Sequence, residues 1–235
     1  MHQTIAYKHL RRLAHGLLCT ALDLVFPAQC VGCGRVGDLF CAACLDALRT
    51  PPLSLTAPYL NGLYAAGEFK GVWRHAIHAF KYEGQKALAD LLAGLLPCPP
   101  ELPETVIIVP VPLHPNRQRW RGYNQATLLA QALAVRLDRD MVEDALVRLR
   151  DTRPQVGLNA AARRRNMKGA FSAPRDLVNG RDIVLVDDVF TTGATLSSGA
   201  EALRRAGATA VWALALACAP GHHDLPLQDR APVLK

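Results

Sequence analysis

No apolar run reaches the roughly 20 residues that a membrane-spanning helix needs. The leading candidate, residues 13–26, is interrupted by His15 and Asp23. Its apolar positions Leu13, Leu17, Leu18, Leu22 and Val25 fall on one face of an amphipathic helix instead. No G-x-x-x-x-G-K-[ST] is present and no G-x-G-x-x-G follows a strand pattern, which sets aside the Walker loop and the dinucleotide fingerprint. Internal repeats and low-complexity tracts are missing too, so repeat arrays are excluded. Charge is sparse, at 20% of residues against 50% hydrophobic, the balance of a globular chain rather than a disordered one. Acid is scarcer than base, 20 Asp and Glu against 27 Lys and Arg, for a formal net charge of +7. That excess calls for an anionic partner, whether nucleic acid, phosphorylated metabolite or acidic surface.

The chain's 235 residues have room for one α/β domain and a small appendage. Residues 1–28 hold the amphipathic helix, residues 29–50 a cysteine cluster, and Pro51-Pro52 through Pro58 a join. Lys8, Arg11 and Arg12 precede the apolar stretch as in a signal peptide, but Cys30 follows without a small-residue cleavage pattern. A cytoplasmic location is therefore expected. Beyond the join, a strand is expected over residues 63–69, helices over 72–82 and 87–96, and a buried β-branched strand over 105–109. A polar turn over 114–123 leads into a helix over 124–137, with Leu129, Leu133 and Leu137 on one stripe. Residues 150–166, with Pro154, Gly157 and a run of arginines, read as a mobile loop. A strand over 183–186, a helix over 195–206 stopped by Gly207, and a strand over 210–217 complete the pattern. Strands alternating with helices predict a mostly parallel sheet in three layers.

The most informative stretch runs Ile183-Val-Leu-Val-Asp187-Asp188-Val-Phe-Thr191-Thr192-Gly193-Ala194-Thr195. A buried strand delivers two carboxylates to its C-terminal edge, where open α/β sheets place their ligands. The helix that follows offers free N–H groups and a partial positive charge to a phosphate. Gly193 permits close backbone approach, and Thr191, Thr192 and Thr195 add hydroxyls. Asp187 and Asp188 suit vicinal sugar hydroxyls or a metal touching them. The competing reading is a solvated acidic turn with capping threonines.

Two stretches, residues 110–137 and 152–175, contain no acid. The first carries Arg117, Arg119, Arg121 and Arg136; the second Arg153, Arg163, Arg164, Arg165, Lys168 and Arg175. Guanidinium forks bind phosphate oxygens in pairs, so Arg119 and Arg121 are candidate pyrophosphate ligands. The second stretch is a candidate basic flap that closes over an anion, or that tracks a nucleic-acid backbone. Both stretches are open to a plainer reading as solvated surface.

Cys30-x-x-Cys33 and Cys41-x-x-Cys44 form two knuckles suited to a closed tetrahedral zinc (Zn2+) site. Disulfides and an iron–sulfur cluster are the alternatives. Cys19, Cys98 and Cys218 are scattered; Cys19 and Cys218 read as buried thiols. His75, His78, His222 and His223 receive no role.

Residues 183–195 resemble the phosphoribosyl-pyrophosphate (PRPP) motif of type I phosphoribosyltransferases. The resemblance implies that Asp187 and Asp188 hold ribose hydroxyls, that residues 191–195 wrap the 5′-phosphate, and that magnesium (Mg2+) bridges pyrophosphate and sugar. The wider order of parts resembles the ComF (competence protein F) family. The pieces that carry it are the paired cysteines, Phe80-Lys81-Tyr82, Val109-Pro-Val-Pro-Leu-His114, Arg121-Gly-Tyr-Asn-Gln125, Arg165-Asn166 with Gly169-Ala-Phe171, and the acidic motif. It implies an N-terminal zinc module over 1–50, a phosphoribosyltransferase-like domain over 59–217 and a tail over 218–235. It further implies a role in DNA uptake and natural transformation, with single-stranded DNA as partner. Two functions stand open: an enzyme binding PRPP with magnesium, and a non-catalytic DNA-binding or PRPP-sensing protein on the same fold. Trp73, Trp120 and Tyr123 are expected to be exposed for base stacking, and Lys81 or Tyr82 to face an acceptor in a hood over residues 55–100.

Overall fold

The computed structural model describes residues 27–150 and 160–221. The amphipathic helix expected over 13–26, Cys19, Arg153 and the pair His222-His223 lie outside the described residues. The chain divides into two compact units, residues 1–47 and 48–235.

In the first unit the backbone folds tightly around its cysteines. Gly34 N–H donates to the Cys30 carbonyl at 2.7 Å and Cys30 N–H to the Arg35 carbonyl at 2.8 Å, while Gln29 bridges Val36 antiparallel. Helix α1 (Ala42–Leu48) begins between the second pair of cysteines.

The second unit is built on a five-stranded sheet. Its strands are β1 (Leu53–Leu55), β2 (Gly62–Glu68), β3 (Ile107–Pro110), β6 (Asp182–Phe190) and β7 (Ala210–Cys218). Their order across the sheet is β1-β2-β7-β6-β3, and only β1 runs antiparallel to its neighbour. A separate two-stranded ribbon pairs β4 (Val147–Arg148) with β5 (Phe171–Ser172). The expected α/β class with a mostly parallel sheet holds. All nine residues of β7 are buried, as a central parallel strand requires. Ile183, Leu185, Val211 and Ala213 share one core with Leu196, Ala200 and Leu203 of α8 (Ala194–Arg205). The alternate residues Val184, Val186, Leu214 and Leu216 are just as buried, so the opposite face is covered too. Helix α5 (Gln125–Leu137) packs on β3 and β6.

The structure departs from the expectations in four places. The proline-rich join contains β1, an edge strand whose flanking prolines need no ladder partner. The polar turn over 114–123 is instead helix α4 (Pro115–Arg121), capped by His114 Nδ1, which accepts from Asn116 N–H at 3.3 Å. None of its residues is buried, so no apolar stripe announces it in the sequence. Part of the expected basic loop is helix α6 (Ala160–Met167), which carries Arg163, Arg164 and Arg165. Finally, β6 continues past Val186 because Asp187 still pairs with Ala215 and Phe190 with Cys218. The acidic pair is therefore held on a strand rather than in a turn. The remaining α-helices among the described residues are α2 (Gly71–Tyr82), α3 (Leu88–Gly94) and the short α7 (Arg175–Val178), and a 3-10 turn spans Glu143–Ala145.

Candidate anion-binding site and cysteine cluster

Strand β6 positions the two carboxylates. Four buried residues, Ile183 to Val186, fix the strand between β3 and β7, and Asp187 and Asp188 emerge half-buried at its far end. Asp187 Oδ1 accepts the Asp188 backbone N–H at 2.8 Å. Burial and the adjacent Asp188 charge raise the Asp187 pKa to about 7, against the opposing pull of Lys81, the Asp188 N–H and Arg148. The Lys81 ammonium lies 2.6 Å from Asp188 Oδ1, with both side chains largely shielded. Lys81 thus faces the acidic pair, a contact that the sequence did not assign to it. Arg148 escaped the sequence reading altogether. It sits on β4 with its guanidinium 5.5 Å from the Phe171 ring centroid, far in sequence from any motif.

After β6 the chain turns through Thr191 and Thr192 to Gly193, whose φ of +73° is left-handed. A Cβ there would meet the Phe190 ring at 2.9 Å and Ala57 at 3.3 Å, so both conformation and space select glycine. Helix α8 opens at Ala194 with no side-chain cap on its first N–H groups. The Thr192 hydroxyl oxygen is buried without a hydrogen-bond partner. Buried polar atoms are normally satisfied, so a hydroxyl left open beside an uncapped helix start fits an absent anionic ligand. Thr191 and Thr195 are half-buried on the same turn.

Three further segments are stitched together by hydrogen bonds. The Phe80 carbonyl, near the end of α2, accepts the Tyr123 hydroxyl and Gln125 Nε2. Gln125 Oε1 accepts Arg121 Nη1 at 2.8 Å. Asn124 caps α5 through Ala126 N–H at 3.1 Å and donates through Nδ2 to the Val111 carbonyl at 3.1 Å. Asn124 and Gln125 are buried, and their amides account for why a polar pair is tolerated there. The segments Phe80-Lys81-Tyr82, Val109 to His114 and Arg121 to Gln125 thus meet in space, and Lys81 joins them to Asp188.

The two candidate arginines differ. Arg121 is half-buried, and its Nε is buried without a partner. Arg119 is exposed and donates to Asn116 of its own helix. Arg165 and Lys168 are exposed, and Arg150 donates to the Lys168 carbonyl. Of the aromatics expected at the surface, Trp120 is 76% exposed, whereas Trp73 and Tyr123 are buried at 3% and 9%. Trp73 packs its indole on Gly67, and Tyr123 is drawn inward by its bond to Phe80. His78 bonds Glu83 at 3.1 Å.

In the first unit the sulfurs of Cys30, Cys33, Cys41 and Cys44 all lie within 4.8 Å of one another, with Cys33 and Cys41 at 3.7 Å. Metal–sulfur bonds of about 2.3 Å in a tetrahedron separate the sulfurs by roughly 3.8 Å, so the set fits such an ion. Burial pushes the Cys30 thiol up, yet the N–H groups of Cys41, Cys33 and Gly32 aimed at its sulfur hold it down at about 6. Burial and the neighbouring sulfurs push Cys44 up to about 12. No disulfide occurs among the described residues.

Comparison with known proteins adds an independent line. A profile of the phosphoribosyl transferase domain matches residues 123–233. Competence protein F of Haemophilus influenzae is 40% identical over 82% of this chain and 86% of its own length. The DNA utilization protein YhgH of Escherichia coli K12 is 34% identical over 84% of this chain and 88% of its own. Among solved structures, the glutamine PRPP amidotransferase from B. subtilis is 22% identical over 58% of this chain and 30% of its own, with a TM-score of 0.38. No helix among the described residues is long and apolar enough to cross a membrane.

Proposed function

The chain belongs to the competence protein F family, and on that premise we propose that its acidic pair and threonine loop bind PRPP or a related ribose phosphate with magnesium, in the service of DNA uptake. The observation that carries the reading is the buried, unpartnered Thr192 hydroxyl beside the uncapped start of α8 and the carboxylates of β6. In this reading the 5′-phosphate sits on the first N–H groups of α8 with the hydroxyls of Thr191, Thr192 and Thr195. Gly193 and Ala194 keep side chains out of its way. Asp187 and Asp188 accept hydrogen bonds from the ribose hydroxyls. Lys81, already against Asp188, is near the anomeric end and holds negative charge there, and Arg121 approaches from the α4 side for the leaving pyrophosphate. Arg119 and the basic residues Arg163, Arg164, Arg165 and Lys168 add long-range attraction for an anion. Magnesium, when bound with the pyrophosphate, neutralises its charge.

The cysteine cluster holds one structural zinc through Cys30, Cys33, Cys41 and Cys44, with no ligand position left open for chemistry. The role in DNA uptake rests on the names of the relatives, a competence protein and a DNA utilization protein.

Isothermal titration with PRPP and magnesium tests the pocket. The expected outcome is magnesium-dependent binding that disappears in Asp187→Asn/Asp188→Asn. Zinc-loaded, folded protein that takes up no PRPP refutes the reading.

A further inference from the structure

An exposed aromatic pair stands where the end of α2 meets α4. Tyr82 is 54% exposed and Trp120 76% exposed, and their rings lie 6.4 Å apart at 62°. The Arg121 guanidinium lies 5.1 Å from the Tyr82 centroid, and the His78 ring lies 5.0 Å from it, tilted at 51°. Large aromatic faces are rarely left in water without a use, above all side by side. The segments that carry this pair are basic. Arg117, Arg119 and Arg121 share α4 with Trp120, Lys81 precedes Tyr82, and the segment from 110 to 137 contains no acid. The nearby acid, Glu83, is engaged by His78 at 3.1 Å.

Aromatic faces beside guanidinium groups match one ligand chemistry, a base stacked on the rings with its phosphate on the cations. We infer that Tyr82 and Trp120 form a stacking ledge for the bases of single-stranded DNA, whose phosphates run along the arginines of α4. The ledge rests on the DNA part of the proposed function, and not on the ribose-phosphate pocket. Lys81 and Tyr82 are consecutive, one turned to Asp188 and the other to Trp120, so the ledge begins one residue from the acidic pair's partner. Phosphate contacts alone would leave Trp120 unused.

The chain's own fluorescence reads the ledge. Of its three tryptophans, Trp73 and Trp212 are buried at 3% and 8%, so a stacked base quenches Trp120 selectively. Titration of the full chain with a short oligothymidylate is expected to give saturable quenching. Trp120→Ala abolishes it and weakens binding, read by anisotropy of a labelled strand, about 5- to 100-fold. Tyr82→Ala weakens binding in the same direction. Both side chains are mostly in solvent, so these variants fold. An oligomer with abasic sites binds wild type with the same deficit and is indifferent to Trp120→Ala. The Asp187→Asn/Asp188→Asn variant keeps its oligomer affinity, which separates the ledge from the pocket: loss of PRPP binding alone leaves the ledge standing. Equal oligomer affinity in Trp120→Ala and wild type overturns the inference. So does undiminished binding of the abasic strand, loss of oligomer binding in the acidic-pair variant, or thymine alone quenching with the oligomer's affinity.

Discussion

The two units of this chain reach order by opposite means. Among its described residues the first has four clustered thiols and one short helix, so its order is expected to rest on the ion those thiols would hold. The second buries a five-stranded sheet on both faces, and its stability resides in apolar contact spread over many residues. Local ligation is all-or-none, because one missing thiol opens the tetrahedron. A packed sheet degrades by increments, so it can carry uncompensated polar groups such as Thr192 and a pair of adjacent carboxylates. The candidate anion-binding site lies in the unit able to bear such groups.

Metal removal is the sharpest way to break the contrast. A chelator, or Cys41→Ser, is expected to release one zinc per chain and to abolish amide protection in residues 27–47. Zinc supplies on the order of 10 kcal/mol or more in comparable small modules. Protection in β6 and β7 should persist, as hydrogen exchange will report. A global collapse of both units would show that they do not fold independently.

Within the second unit, loss of the lysine partner comes next. Lys81→Met leaves Asp188 uncompensated beside Asp187 and is expected to lower stability by about 2 kcal/mol at pH 8, measured by denaturant titration. Lys81→Arg should recover most of that loss.

The acidic pair also sets a pH dependence. Burial holds Asp187 protonated up to about 7 in the folded protein, whereas the unfolded chain releases that proton near 3.8. The folded state therefore binds more protons between these values, and stability falls as pH rises from about 4 to about 7. Asp187→Asn removes the titration, so its thermal midpoint should exceed that of wild type at pH 8 and match it near pH 4. A midpoint below wild type at pH 8 would mean that the carboxylate is stabilised rather than strained.

The smallest effect is expected at Thr192. Thr192→Val replaces an unpartnered hydroxyl with a methyl of similar size, which should leave stability without ligand within about 1 kcal/mol of wild type or slightly above it. Binding of a ribose 5-phosphate should weaken several-fold in the same variant, read by calorimetry.

Much of this was legible in the residues, for reasons that differ by element. The cysteine knuckles and the acidic pair declare themselves because their chemistry is carried by neighbours in sequence: two sulfurs per tight turn, two carboxylates at a strand end. The sheet is legible because parallel strands buried on both faces leave unbroken apolar runs at 183–186 and 210–217. Helix α4 was not, since none of its side chains is buried and its order comes from a histidine cap, a leading proline and Gly122 at φ +82°. Trp73 and Tyr123 read as surface aromatics because sequence gives their type and not their direction. Gly67 leaves the space that Trp73 fills, and the Phe80 carbonyl turns Tyr123 inward.

By itself, then, the sequence determined the α/β class, the four-cysteine cluster, the acidic pair with its threonine loop, and the excess of positive charge. Each of these is local, written in spacing or composition. Only the tertiary structure decided that Lys81 faces Asp188 from a distant part of the chain, that the Arg148 charge bears on Asp187, and that Tyr82 meets Trp120. Such pairings depend on how strands are ordered and helices packed, and electrostatics and stacking act through distance in space, which no spacing along the chain encodes.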